Sequence, residues 1–139
     1  MATIQKSLRI PHEIAKAIEE MAEASSRAFS TVASELLAEG LKIRRCPGIL
    51  FTDGPSGRRA RIAGTGLDVW ELIATHHSLG GDLDRLRQAY HWLSDPQLRA
   101  ALGYHAAYPD EIERQIARND VWTKERLVER YPSLAAHRA

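Results

Sequence analysis

Near its N-terminus the chain reads Ile4-Gln5-Lys6-Ser7-Leu8-Arg9-Ile10-Pro11, a short run in which apolar and polar side chains largely alternate. Alternation with a period of two is typical of a strand with one buried face, because successive side chains point to opposite sides. A single strand cannot pair its own backbone groups, and the neighbouring sequence offers no hairpin partner. We therefore predict an antiparallel two-stranded ribbon formed with the same strand of a second copy.

The polar face of this ribbon carries four side chains that suit the reading of base edges, namely Thr3, Gln5, Ser7 and Arg9. A two-stranded ribbon has the right width for the DNA major groove. Arginine bridges two acceptors of guanine, glutamine bridges a donor and an acceptor of adenine, and serine serves either partner. We predict base contacts for these four residues. Lys6 falls on the apolar side of the alternation, so it either lies at the ribbon edge and contacts phosphate, as we predict, or marks a frayed part of the strand. The alternative is an ordinary solvated strand face.

Two amphipathic helices are predicted after Pro11, and the first ends in the polar cluster Ser25-Ser26-Arg27. The second begins at Phe29-Ser30-Thr31, where Ser30 or Thr31 is a suitable N-cap. The free amides at that helix start predict a phosphate contact for Ser30 and Thr31, although a plain N-cap needs the same residues. The predicted buried stripes of the two helices are Ile14, Ile18, Met21 and Ala22, and Val32, Leu36, Leu37, Gly40 and Leu41.

A strand and two helices within about 45 residues bury too little surface to fold alone, whereas two copies can share one core. On these features the first 45 residues resemble the ribbon-helix-helix family of prokaryotic DNA-binding proteins. The resemblance rests on the strand that ends in Leu8-Arg9-Ile10-Pro11, on the helix lengths, and on the second helix start from Phe29 to Leu37. It implies a homodimer that binds double-stranded operator DNA in the major groove.

A second pattern begins after the helix-breaking Cys46-Pro47-Gly48, which we interpret as a linker. A β-hairpin is predicted from Ile49–Thr52, a turn over residues 53–57, and a returning strand Arg58–Ile62. Gly64-Thr65-Gly66 is predicted to form a tight turn. Four helices are then predicted, starting at Asp68, at Asp82, at Ser94-Asp95-Pro96 and at Tyr108-Pro109-Asp110. The predicted domains are residues 1–45, a linker over 46–48, residues 49–120, and a C-terminal arm over 121–139.

Residues 49–120 resemble a family of small helical domains, similar to a winged helix-turn-helix, that has no assigned biochemical function and often occurs beside PIN-like nuclease toxins. The matching residues are Ile62-Ala63-Gly64-Thr65, Val69-Trp70-Glu71-Leu72, Leu93-Ser94, Ala100-Ala101-Leu102-Gly103-Tyr104, and Glu111-Ile112 with Ile116-Ala117-Arg118-Asn119. The family usually has arginine after the Gly-Thr pair, where this chain has Gly66. This resemblance implies a cognate toxin partner. Aromatic and aliphatic residues of the arm, Trp122, Leu127 and Tyr131, are the candidate anchors.

Three arginines of the predicted hairpin, Arg58, Arg59 and Arg61, have two interpretations. They form a wing that touches DNA phosphate, or a solvated edge that discourages strand aggregation. We favour the solvated edge.

Composition excludes several classes of protein. The 139 residues carry a formal net charge of +1, no run approaches a membrane span, and no leader suggests secretion. The single Cys46 fits a reducing cytoplasm, although its position beside arginines admits a lowered thiol pKa. No catalytic constellation is visible, so we expect no enzyme, no cofactor and no metal. A metal site assembled across helices from His76, His91 and His105 is an alternative.

The sequence therefore predicts a fold that is mainly α with a little β: a ribbon-helix-helix dimerisation unit and a small winged-helix-like domain with a hairpin. The predicted function is that of a cytoplasmic, dimeric, sequence-specific DNA-binding protein. The resemblances imply a VapB-like antitoxin that represses its own operon and neutralises a PIN-like nuclease toxin. Two alternatives stay open. One is a ligand- or metal-responsive repressor, and the other is an interaction protein whose ribbon serves only for dimerisation.

Overall fold

The structure, a computed structural model, describes residues 2–120, 129 and 132–134. The described residues form helices α1 to α6, strands β1 and β2, and one turn of 3-10 helix at Pro132–Leu134. The helices are α1 His12–Ser25, α2 Phe29–Arg45, α3 Val69–Ser78, α4 Leu83–Ala89, α5 Asp95–Ala107 and α6 Pro109–Asp120, and the strands are β1 Ile49–Gly54 and β2 Gly57–Ile62. The prediction of a mainly helical chain with a small sheet is confirmed.

The chain divides into a first unit, residues 1–44, and a second unit, residues 45–139. Residues 46–48, predicted as a linker, therefore belong to the second unit. Cys46 lies in the core of that unit, and the Ala63 amide donates a hydrogen bond of 2.8 Å to the Gly48 carbonyl. Among the described residues, no helix combines the length and the apolar character needed to cross a membrane.

The first unit contains α1 and most of α2. The α1 helix begins after Pro11, whose carbonyl accepts hydrogen bonds from the Ile14 and Ala15 amides. It ends at Ser26, which has a positive φ of 53°, and the Arg27 amide then donates to the Ala22 carbonyl. A left-handed residue with such a backward hydrogen bond is a common helix terminus. The predicted end of this helix in the polar cluster at residues 25–27 is thus confirmed.

The α2 helix begins at Phe29, two residues earlier than a cap at Ser30 requires and three earlier than a cap at Thr31 requires. The Ala28 carbonyl accepts the Thr31 and Val32 amides, so Ala28 occupies the cap position. The predicted N-cap role of Ser30 and Thr31 is therefore wrong, and both residues lie in the first helical turn.

The described part of the second unit folds around the hairpin and four helices. Strands β1 and β2 pair antiparallel from Ile49 opposite Ile62 to Gly54 opposite Gly57, as predicted except for a shorter turn. The hairpin packs on α3 and α5, and α3 also packs on α4 and α6. The fully buried side chains of this core include Ile49, Ile62, Leu72, Ile73, Leu86, Tyr104 and Ile112.

Local capping explains where these helices begin. The Asp82 carboxylate accepts hydrogen bonds from the Asp84 and Arg85 amides at the start of α4. At the start of α5, Ser94 and Gln97 satisfy each other's backbone amides in a capping box. Before α3, the Thr65 hydroxyl donates to the Ile62 carbonyl and accepts the Leu67 amide, which confirms the predicted turn.

Candidate functional site

The predicted base-reading residues lie in an extended N-terminal segment. Residues 2–11 belong to no helix or strand within the single chain, and Thr3, Gln5, Lys6, Ser7 and Arg9 are all exposed. The apolar side chains of the segment are exposed as well, with Ile4 at 80% and Leu8 at 67%. The segment therefore presents both of its faces to solvent in the single chain.

The two helices of the first unit also leave most of their apolar surface uncovered. Their buried cluster consists of Ile18, Ala22 and Val32, with Ala33 packed against it. The other apolar positions, predicted to be buried in a core shared by two copies, are not covered in the single chain. The residues concerned are exposed: Ile14, Met21, Leu36, Leu37, Gly40 and Leu41.

The residues predicted to hold a phosphate, Ser30 and Thr31, are exposed in the first turn of α2. Because the Ala28 carbonyl already accepts the Thr31 amide, the unpaired amides at this helix start are those of the residues before Thr31. The phosphate contact itself stays a prediction.

Two of the three hairpin arginines contact a buried carboxylate. Asp68, which is 2% exposed, precedes α3 and accepts a hydrogen bond of 3.0 Å from Arg61 Nε and one of 3.2 Å from Trp70 Nε1. Arg59 Nε lies 3.0 Å from the second carboxylate oxygen. Its N–H has no well-aligned acceptor, so this contact is an ion pair without a good hydrogen bond.

This arrangement corrects the interpretation of Arg59 and Arg61. Neither forms a solvated edge or a free wing, because both join the hairpin to the start of α3 through Asp68. Arg58 instead pairs with the exposed Asp53 of the facing strand at 3.2 Å. We refer to Asp68 with Arg59, Arg61 and Trp70 as the Asp68 clamp. Its role is structural, because loss of the buried carboxylate would leave the two guanidinium groups without this partner.

A cavity of about 480 Å³ opens beside the clamp. It is lined by the hairpin turn and by the outer side of α6, with the arginines Arg58, Arg59, Arg114 and Arg118 around it. Glu111 is the acidic side chain of this lining. The cavity is therefore predominantly cationic.

Two histidines and one glutamate meet at another point of the second unit. His77, near the end of α3, and His105, in the last turn of α5, each place Nε2 at 2.8 Å from Glu113 Oε1 on α6. The two imidazole rings lie 5.7 Å apart at an interplanar angle of 73°. Hydrogen bonds from His77 and from His105 lower the pKa of the Glu113 carboxyl. We refer to these three residues as the His-Glu cluster.

The His-Glu cluster replaces the histidine site considered from sequence. Among the described residues, the group with ligating geometry is His77, His105 and Glu113, whereas His76 and His91 do not join His105. No spacing in the sequence indicates this cluster, because the three residues lie on three helices whose packing no spacing rule predicts. The eight-residue separation of His105 and Glu113 spans the turn between α5 and α6.

Two other titratable groups are buried in the second unit. Burial raises the pKa of the Cys46 thiol, and the neighbouring Arg45 guanidinium only partly offsets this effect. The suggestion of a lowered thiol pKa is therefore wrong. Burial also raises the pKa of the Tyr104 phenol, which donates a hydrogen bond to the Glu111 carboxylate. Both groups are neutral parts of the core.

No family model and no curated protein matches the chain. One solved structure with similarity to it is that of a DUF433 member protein from Anabaena variabilis ATCC 29413, at 28% sequence identity and a TM-score of 0.42. The alignment covers 71% of this chain and 95% of that protein. A TM-score of this size does not establish a shared fold, so function is inferred from the residues themselves.

The candidate toxin anchors Trp122, Leu127 and Tyr131 lie outside the described residues.

Proposed function

We propose that the protein is a dimeric, sequence-specific DNA-binding protein whose first unit forms a ribbon-helix-helix dimer. The observation that carries this proposal is the apolar surface of the first unit. Ile4 and Leu8 of the extended segment and Leu37 and Leu41 of α2 are exposed in the single chain, although each belongs to an amphipathic pattern. Burial of such side chains is worth about 1.5–3 kcal/mol each, so their exposure leaves a strong driving force for association.

A second copy supplies hydrogen-bond partners for the backbone of the extended segment and also covers its apolar side chains. Residues 3–10 have backbone donors and acceptors that no strand within the described chain pairs. Pairing with the same segment of a second copy supplies these hydrogen bonds, and it directs Ile4, Leu8 and Ile10 toward the shared core. The opposite face then presents Thr3, Gln5, Ser7 and Arg9 to the bases.

Phosphate contacts orient such a ribbon on the duplex but do not read its sequence. We assign this role to Lys6 and to the first turn of α2 with Ser30 and Thr31. Ser30 and Thr31 are exposed and accessible to the DNA backbone, whereas Lys6 lies on the same face as Ile4 and Leu8 and reaches phosphate from the edge of the ribbon. The formal net charge of +1 supplies no overall attraction to DNA, so the proposal requires positive charge at these local contacts.

DNA binding is tested by selecting a preferred sequence from a random duplex library and then comparing two variants on it. Arg9→Ala is expected to reduce discrimination at one base pair of each half-site by about 1–3 kcal/mol. Lys6→Ala is expected to weaken binding to all sequences alike and to reduce the salt slope by about 1. Fluorescence anisotropy across a salt series measures both quantities.

The outcomes separate the candidate functions. If neither variant differs from the parent protein, the ribbon does not read DNA. If the protein dimerises but selects no sequence, the ribbon serves only for dimerisation and the protein is an interaction protein.

We further propose that the protein is the antitoxin of a type II toxin–antitoxin pair, that it represses its own operon and that it neutralises a PIN-like nuclease toxin. Support comes from the resemblances of both parts of the chain, and occlusion of the toxin by Trp122, Leu127 and Tyr131 is the proposed mechanism. Co-expression with the product of the adjacent gene tests this role. A stable complex and relief of growth arrest are expected, and the absence of both contradicts it.

A metal-responsive repressor is the second candidate function, and the His-Glu cluster is the observation that favours it. If an ion at this cluster regulates DNA binding, the affinity for the selected duplex changes when Zn²⁺ is added to chelator-treated protein. An affinity that is the same with and without Zn²⁺ removes this candidate and leaves the DNA-binding proposal intact.

A further inference from the structure

Three helices of the second unit bring two imidazoles and one carboxylate to a common point. The donor atoms of His77, His105 and Glu113 all lie within 4.8 Å of one another. Both ring nitrogens approach the same oxygen, Glu113 Oε1, at 2.8 Å. These side chains are 25–48% exposed, so an ion has access to them from solvent.

The backbone positions of the cluster are fixed by the core beneath it. His105 follows the fully buried Tyr104, and Glu113 follows the fully buried Ile112. His77 lies four residues after the fully buried Ile73, one helical turn along α3. Because α6 packs on both α3 and α5, the three ligand-bearing positions are held together whether or not an ion is present.

We propose that His77 Nε2, His105 Nε2 and the Glu113 carboxylate bind one Zn²⁺ ion. Two histidines and one glutamate form a protein ligand set that Zn²⁺ accepts, and a fourth position stays open to water. Zn–N and Zn–O bonds of about 2.0–2.2 Å separate the ligand atoms of a tetrahedral site by about 3.3 Å. Small side-chain rotations bring the three donors from their present separations to that spacing.

The identity of the ligands selects the class of ion. Imidazole nitrogen favours zinc, copper, nickel and iron, whereas Mg²⁺ and Ca²⁺ favour sites made of oxygen ligands. A site with two nitrogens and one carboxylate therefore discriminates against Mg²⁺. The binding site is independent of the DNA-binding proposal, because all its ligands belong to the second unit.

The competing interpretation is a hydrogen-bonded triad in which each imidazole donates its Nε2–H to Glu113. In that state protons occupy the positions that the ion takes. Zn²⁺ binding requires both Nε2 atoms to lose these protons, which move to solvent or to Nδ1. The two interpretations differ in a measurable way: Zn²⁺ displaces these protons if the cluster is a metal site, whereas a purely structural triad keeps them when Zn²⁺ is added.

Isothermal titration of ZnCl₂ into the chelator-treated full-length protein tests the proposal. One Zn²⁺ per chain is expected, whereas MgCl₂ is expected to give no binding heat. His105→Ala and Glu113→Gln each change a proposed ligand of the ion. Each is expected to lower the Zn²⁺ affinity by more than about 10–100-fold, which is the loss caused by removing an outer-shell partner. The matched control is His91→Ala, since His91 is exposed and lies outside the cluster, and its affinity should equal that of the parent protein.

Co²⁺ substitution supplies a readout that does not depend on affinity. A Co²⁺ ion bound by His77, His105, Glu113 and water gives visible absorption bands of a four-coordinate site, and Glu113→Gln is expected to shift or abolish them. Circular dichroism of each variant verifies that the helices are retained.

Three results overturn the proposal. The first is no Zn²⁺ binding by the parent protein, and the second is unchanged binding in the His105→Ala and Glu113→Gln variants. The third is equal loss of affinity in His91→Ala, which places the ion elsewhere.

Discussion

The two units of the chain differ in how much of their apolar surface they bury. Among the described residues, the second unit packs thirteen buried residues into one cluster, whereas the first unit has a cluster of Ile18, Ala22 and Val32. Both units contain amphipathic helices, so the difference lies in what is available to cover each helix. In the described part of the second unit, four helices and a hairpin enclose the core, while the first unit has two helices and an extended segment.

The exposure of apolar side chains in a single chain is informative when it contradicts a clear helical pattern. Leu37 and Leu41 of α2 are more than half exposed, with Leu37 at 62%. Scattered exposed leucines are ordinary on protein surfaces, but these belong to one predicted stripe that includes the buried Val32. We therefore expect the first unit to depend on association and the second unit to be stable without it.

The largest expected effect comes from the core of the second unit. Leu72→Ala removes a fully buried side chain from α3 and is expected to lower the free energy of unfolding by about 2–5 kcal/mol. The matched control is Leu50→Ala on the exposed side of β1, with a change within about 0.5 kcal/mol. Denaturant unfolding followed by circular dichroism measures both. An equal effect of the two variants would mean that the described core is wrong.

The next effect concerns the first unit. Leu37→Asp places a charge on the surface that the second copy covers and is expected to weaken association by about 1.5–3 kcal/mol per chain. Leu50→Asp, which also changes a half-exposed leucine, is the control and should leave the association constant unchanged. Sedimentation velocity at several concentrations measures association. A Leu37→Asp protein that associates as strongly as the parent contradicts the proposed dimer surface.

The smallest expected effect concerns two carboxylates that pair with arginines of the hairpin, one of them buried and the other exposed. Asp68→Asn keeps the shape of the side chain but removes the charge between Arg59 and Arg61, and it is expected to cost about 1–3 kcal/mol of stability. Asp53→Asn disrupts the pair with Arg58 at a carboxylate that is 92% exposed, so its cost is below about 1 kcal/mol.

Thermal unfolding of the two asparagine variants measures the difference. Equal melting temperatures would show that the Asp68 clamp does not join the hairpin to α3. The direction of the difference follows from burial, because solvent screens the exposed pair and not the buried one.

Local signals made much of the second unit predictable. Ser94 followed by Pro96, and Asp82 before an apolar repeat, predicted helix starts that the structure confirms. The apolar run at the start of Ile49–Thr52 and the turn-forming residues 53–57 predicted the hairpin, whose two strands are also confirmed. Such features depend on residues within a few positions of each other, and periodicity and capping describe them well.

The candidate sites of the second unit could not be predicted in the same way. Asp68 was expected only as a helix cap, and its contacts with Arg59 and Arg61 depend on how the hairpin returns to α3. The His-Glu cluster depends on the packing of three helices. In the first unit, Ser30 and Thr31 do not cap α2, because the helix already starts at Phe29 and its cap is Ala28.

The central claim is that the N-terminal segments of two copies pair as an antiparallel ribbon, and spin labels on that segment test it most directly. A nitroxide is attached at Ser7→Cys in a Cys46→Ala background, because Cys46 is the native cysteine. Neighbouring strands lie about 4.7–4.9 Å apart, so the continuous-wave spectrum is expected to show strong dipolar broadening. Mixing with an excess of unlabelled protein should remove it. A spectrum without broadening at concentrations where the protein is dimeric would contradict the ribbon.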